Sequence, residues 1–102
     1  MDTEKNRFLY KLFQQRPTFT QDMTEAEKKV MQEHITYWKC LIDDSIATIF
    51  GLVLDPRGPW GVGIIVDVAN EPDACALVTN DPAIKDGLTF DVSPMPGVAV
   101  RK

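Results

Sequence analysis

The sequence predicts an α+β fold in the order β-α-β-β-α-β, and three observations predict it. Four short segments are rich in β-branched, aromatic and leucine residues. Two segments place apolar residues at helical spacing, one after the first strand and one before the last. Between the middle strands, Asp55-Pro56-Arg57-Gly58-Pro59 reads as a turn, which makes that pair a hairpin.

The first strand is read at residues 7–13. Phe8, Tyr10 and Leu12 share one face, with Leu9 and Phe13 on the other, so part of each face is covered. Arg16-Pro17-Thr18-Phe19 ends it, because proline lacks the ladder donor and restrains its predecessor. Thr24-Glu25-Ala26-Glu27 is a capping box, with acidic residues suited to a helix start. The helix it opens runs to about Asp43, roughly 30 Å at 1.5 Å per residue. Val30, His34, Tyr37, Trp38 and Leu41 form its inward face.

Residues 46–54 form the second strand, and Trp60 to Val68 the third. Asn70 caps a second helix that tolerates Pro72 in its first turn and turns Ala74, Leu77 and Val78 inward. That helix stops before Asp81-Pro82. Leu88 to Val92 is the fourth strand. Ser93 to Lys102 is a proline-containing tail with a late apolar patch, Val98-Ala99-Val100.

This order is the split βαβ, or ferredoxin-like, arrangement. It implies a four-stranded antiparallel sheet with both helices on one side. Strands this apolar need a cover on the other face, and a second copy of the same sheet supplies one. A symmetric homodimer is therefore expected.

Bulk properties narrow the function. The 102 residues fit one domain spanning 1–102, with a core at about 7–94. Hydrophobic residues make up 44% and charged residues 25%, an ordinary globular mix. A net charge of −4 with no basic stripe argues against nucleic acid as a partner. The opening Met-Asp-Thr-Glu-Lys-Asn-Arg is not a secretory leader, and no apolar run spans a bilayer, so no membrane partner is expected. Cys40 and Cys75 fall in predicted helices without neighbouring ligands, which suits reduced thiols in the cytoplasm. One histidine and two isolated cysteines argue against zinc. Gly58, Gly61 and Gly63 are too scattered to cradle phosphate, and no nucleophile elbow is present, so no cofactor is expected.

The topology gathers the start of the first helix, the turn at Asp55 to Trp60, and Asp81 at one end. His34 lies partway down from that end, where its imidazole meets a carboxylate from Asp81 or, less favourably, Asp55. Imidazole titrates near neutrality without help, which makes His34 the chemical candidate. The alternative is a half-buried histidine satisfied by the backbone, and position alone favours it. Asp81 before Pro82 and Asp55 before Pro56 also suit ordinary turns. Arg16 is a candidate for holding an anionic substrate bidentately, or else a solvated or salt-bridged arginine. Trp60 either walls a pocket or packs on the sheet. Tyr37 and Trp38 read as core or dimer contacts.

Glu33-His34-Ile35-Thr36-Tyr37-Trp38, Leu54 to Gly61, and Asn80-Asp81-Pro82-Ala83 together resemble the YCII-related (YciI-like) family. Arg16-Pro17-Thr18-Phe19 and Asp22 to Glu27 carry the same resemblance, which extends from about residue 8 to Pro94. It implies a dimeric α+β barrel of two ferredoxin-like subunits and an active-site pair at His34 and Asp81. Related barrels move protons on small cyclic molecules, in lactone isomerisation and in removal of HCl from chlorinated hydroxyquinols. The expectation is therefore a lyase or isomerase acting on a small organic ligand. His34 and Asp81 would be catalytic, and Arg16, Asp55 and Trp60 substrate contacts. The alternative is a non-catalytic ligand-binding or accessory module on the same barrel. Two positions depart from the family pattern: Leu52 follows Gly51 where Gly-Pro is frequent, and Ser45 stands where glycine often ends the first helix.

Overall fold

The computed structural model describes residues 7–14 and 16–99. The readings of Met1 to Asn6 and of Val100 to Lys102 lie outside the described residues. The elements are β1 (Phe8–Phe13), α1 (Phe19–Asp22), α2 (Glu25–Asp43), β2 (Ala47–Val53), β3 (Trp60–Ile65), α3 (Glu71–Thr79), α4 (Pro82–Lys85) and β4 (Thr89–Pro94). The strands form one antiparallel sheet in the order β2-β3-β1-β4. This is the expected α+β, ferredoxin-like topology.

Alternation along β1 decides which face is the core. Phe8, Tyr10 and Leu12 are buried, and the residues between them are half-buried. Trp38 and Leu41 of α2, Ala74 and Val78 of α3, and Ala83 of α4 join them in one cluster. Register puts Leu9, Ile64 and Ile49 together on the opposite face, with Ile49 at 56% exposure.

Glycine at one sheet position admits the largest core side chain. Tyr10 of β1 and Phe50 of β2 both pair with Gly63 of β3. A Cβ at Gly63 would come within 3.2 Å of the Tyr10 ring and 3.3 Å of Trp38. The bare backbone thus lets the Trp38 indole settle on the sheet. Its ring lies 4.7 Å from Tyr10 at 14° and 6.4 Å from Phe50 at 29°.

The capping box forms as expected. Glu27 N–H donates to Thr24 Oγ1 at 3.1 Å, and Thr24 N–H donates to Glu27 Oε1 at 2.8 Å. At the other end of α2, Ser45 N–H donates to Ile42 O and Ile46 N–H to Leu41 O, a Schellman closure. That closure holds Ser45 at φ 63°, a conformation glycine adopts without Cβ strain. Ser45→Gly is therefore expected to raise stability by about 0.5–1 kcal/mol. The check is a higher urea midpoint at unchanged slope.

The structure corrects several boundaries. α1 and α4 are additional four-residue helices, too short to leave a periodic pattern. α1 seats Phe19 at 2% exposure, and α4 begins at Pro82 with Asp81 as its cap. The third strand ends at Ile65 rather than Val68, because Val66 and Asp67 N–H both turn to Ile46 O. β4 continues through Ser93 and Pro94, which the sequence assigned to the tail. Proline is tolerated there because β4 is an edge strand.

Candidate active site

Asp81 is the one polar residue fully buried among the described residues, at 0% exposure. Three donors converge on it. His34 Nδ1 lies 2.7 Å from Oδ2, Trp38 Nε1–H donates to the same oxygen at 2.7 Å, and Ala83 N–H donates to Oδ1 at 2.8 Å. The local sequence explains the placement. Pro82 keeps Asp81 out of helical geometry, at φ −65° and ψ 131°, and that extended turn aims the carboxylate at the α4 amide. His34 and Trp38 are four residues apart on α2, so both reach one point.

The donors also assign the histidine tautomer. An ionised carboxylate only accepts hydrogen bonds, so His34 Nδ1 carries the proton. Nε2 then holds the lone pair. Among the described residues it makes no hydrogen bond, and the unpartnered buried side-chain atoms are Tyr10 Oη and Gln14 Oε1, not Nε2. The His34 side chain keeps 11% exposure and stands edge-on to Phe50 at 6.3 Å and 89°. One nitrogen is thus anchored and the other left open.

Two phenols border the carboxylate. Tyr37 Oη–H donates to Leu77 O at 2.6 Å, tying α2 to α3. Burial, and then the Asp81 charge, push this phenol above its ordinary range. Burial, then the Asp81 charge and a hydrogen-bonding interaction with the Asp81 side chain, raise Tyr10 much further. Tyr10 Oη sits close enough to feel Asp81, yet makes no hydrogen bond of ordinary geometry.

The other candidates lie elsewhere. Arg16 donates to Glu27 Oε1 and Oε2 at 2.9 and 3.0 Å, and to Asp22 Oδ1 at 2.8 Å. Its geometry is that of the salt-bridged alternative, a clamp between α1 and α2. The Arg16 hydrogen bonds, with the Thr24 amide, hold Glu27 down at about 2. Asp55 accepts from Arg57 N–H at 2.9 Å, from the Arg57 guanidinium, and from Trp60 Nε1–H at 3.2 Å. Those bonds, the Arg57 side chain first, hold Asp55 at about 2. Asp55 makes no bond to His34, which leaves Asp81 as the carboxylate the histidine meets. Trp60 pairs with Phe13 and lies under Lys11 Nζ at 5.1 Å. Those residues occupy the sheet face away from the core, so within one chain the sheet separates Trp60 from His34.

Sequence reasoning missed Tyr10 and Trp38 as neighbours of Asp81; it read Trp38 as a core or dimer contact, and Trp38 does lie in the core cluster. A signal existed for Trp38: a buried indole N–H needs an acceptor, and this one sits a helical turn from His34. Among the described residues, no cluster of three or more His, Cys, Asp or Glu side chains is arranged to hold a metal ion. Cys40 and Cys75 are free thiols. No described helix is long and apolar enough to cross a membrane. A cavity of about 280 Å³ lies against α3, walled by Ile46, Val68 and Leu77 with Asp67 and Asp73, and neither His34 nor Asp81 lines it.

The family model for the YCII-related domain matches residues 10–96. The chain belongs to the YCII-related domain family. The match runs from Tyr10 to Pro96, so the YCII-related domain takes in every element from α1 to β4 and both members of the His34–Asp81 pair. No curated protein matches the chain.

Proposed function

We propose that this YCII-related protein is a lyase or isomerase that moves a proton on a small organic molecule, with His34 as base and Asp81 as its partner. The observation that carries the reading is the 2.7 Å contact from His34 Nδ1 to a buried carboxylate held by two further donors. Nε2 takes a proton from a carbon next to a carbonyl, and the imidazolium formed is stabilised by Asp81. Returning the proton to another carbon isomerises the substrate. Expelling a leaving group instead completes an elimination.

The working form is proposed to be a cytoplasmic homodimer without a cofactor. The support for the dimer is the apolar face bearing Leu9, Ile49 and Ile64, which a second sheet would cover. Arg16 and Asp55 enter as substrate contacts only where a substrate displaces their present partners; Trp60, across the sheet from His34, does not join the same site within one chain.

One observation favours a second reading. Asp81 caps α4 and holds Trp38, so the fold needs this carboxylate whether or not it works in catalysis. The barrel would then bind a small ligand, or serve a partner, with His34 structural. The deciding experiment incubates the protein in D2O with a panel of small cyclic lactones and ketones that carry a C–H next to the carbonyl. NMR then follows deuterium uptake at that carbon. Catalysed uptake that disappears in His34→Gln supports the enzyme. Binding without uptake supports the module.

A further inference from the structure

An ionised carboxylate offers about four acceptor positions. At Asp81, Oδ2 receives His34 Nδ1 and Trp38 Nε1, while Oδ1 receives Ala83 N–H alone. One position on Oδ1 is therefore open. On the aromatic ring stacked against Trp38, itself bonded to this carboxylate, is a donor in need of an acceptor. Tyr10 is 1% exposed, and its hydroxyl has no hydrogen-bond partner among the described residues. A buried hydroxyl without a partner is costly, and tyrosines in cores almost always find one. The ring cannot easily turn elsewhere, because it is stacked on Trp38 at 4.7 Å and confined by the backbone of Gly63. Trp38 in turn is bonded to the same carboxylate.

We infer that Tyr10 is a positioning residue for the His34–Asp81 pair: its hydroxyl is the fourth donor to the Asp81 carboxylate and holds that group in the rotamer facing His34. The inference rests on the proton-transfer reading given above. It adds a residue from the central strand to a site otherwise made by α2 and the α3–α4 turn. A small closing movement of the phenol, or one bridging water, completes the bond. The role is indirect, since Tyr10 itself is sealed from substrate.

Tyr10→Phe tests it, because phenylalanine keeps the stack on Trp38 and removes only the hydroxyl. Two readouts separate positioning from packing. If the hydroxyl serves Asp81, its loss lowers the urea midpoint. If it is an orphan, its loss raises the midpoint. In NMR, the His34 Nδ1–H and Trp38 Nε1–H resonances are expected to shift, because the carboxylate that receives both has lost one of its donors.

Asp81→Asn runs beside it. Should Asp81→Asn shift both resonances while Tyr10→Phe shifts neither, the role of Tyr10 is overturned and the pair survives. Should Asp81→Asn leave the His34 resonance in place, the pair itself fails, and the inference with it. Tyr37→Phe supplies a measurement that does not depend on altering Tyr10. The chain has two tyrosines, so a slowly exchanging tyrosyl hydroxyl proton in that protein belongs to Tyr10. Its presence supports the bond to Asp81, and its absence overturns it.

Discussion

Asp81→Ala is expected to cost about 3 kcal/mol or more of folding stability, because three donors are stranded at about 1–3 kcal/mol each. The change strands the indole N–H of Trp38, the imidazole N–H of His34 and the amide of Ala83 together. Each lost acceptor leaves a desolvated donor, and α4 loses its cap. Against a typical total of about 5–15 kcal/mol, the loss brings the domain near its unfolding threshold. Urea titration followed by far-UV circular dichroism measures it. Asp55→Ala is the control: it removes a carboxylate bonded to Arg57 and Trp60 at the hairpin, and it should cost far less. Equal costs for the two variants would show that Asp81 does not organise the core.

His34→Gln is expected to leave the fold standing and to slow deuterium uptake by about 10²–10⁴-fold, the usual contribution of a positioned acid–base group. Glutamine keeps a donor that can reach Asp81, so the buried carboxylate is not abandoned. It offers no group that takes a proton at neutral pH. A full loss of uptake with an unchanged urea midpoint therefore separates chemistry from folding. Uptake at the wild-type rate in His34→Gln would place the base elsewhere.

The elements of the fold were readable because their signals are local. The Thr24–Glu27 box, the Asn70 cap and the β1 alternation each depend on residues a few positions apart. α1 and α4 escaped because four residues hold barely one helical turn. Asp81-Pro82 still carried a helix-start signal, an N-cap followed by proline at the first position. At the site, the nearness of His34 and Asp81 was legible from topology together with the family resemblance. Tyr10 was not. Its contact with Asp81 runs through the stack on Trp38, and that stack exists because Gly63 has no side chain. Such a relation joins three elements distant in sequence, and no spacing rule encodes it. Arg16 illustrates the reverse. An arginine that suits an anion from sequence alone is engaged on both sides by Glu27 and Asp22.

The central claim is that Asp81 fixes His34 with its proton on Nδ1 and its lone pair on Nε2. Nitrogen-15 NMR of the ring reads this directly in the unmodified protein, above the pH where the imidazole is protonated. A protonated Nδ1 with a downfield hydrogen, a bare Nε2, and loss of that pattern in Asp81→Asn are the predicted results. A ring protonated on Nε2, with Nδ1 bare, would contradict the account.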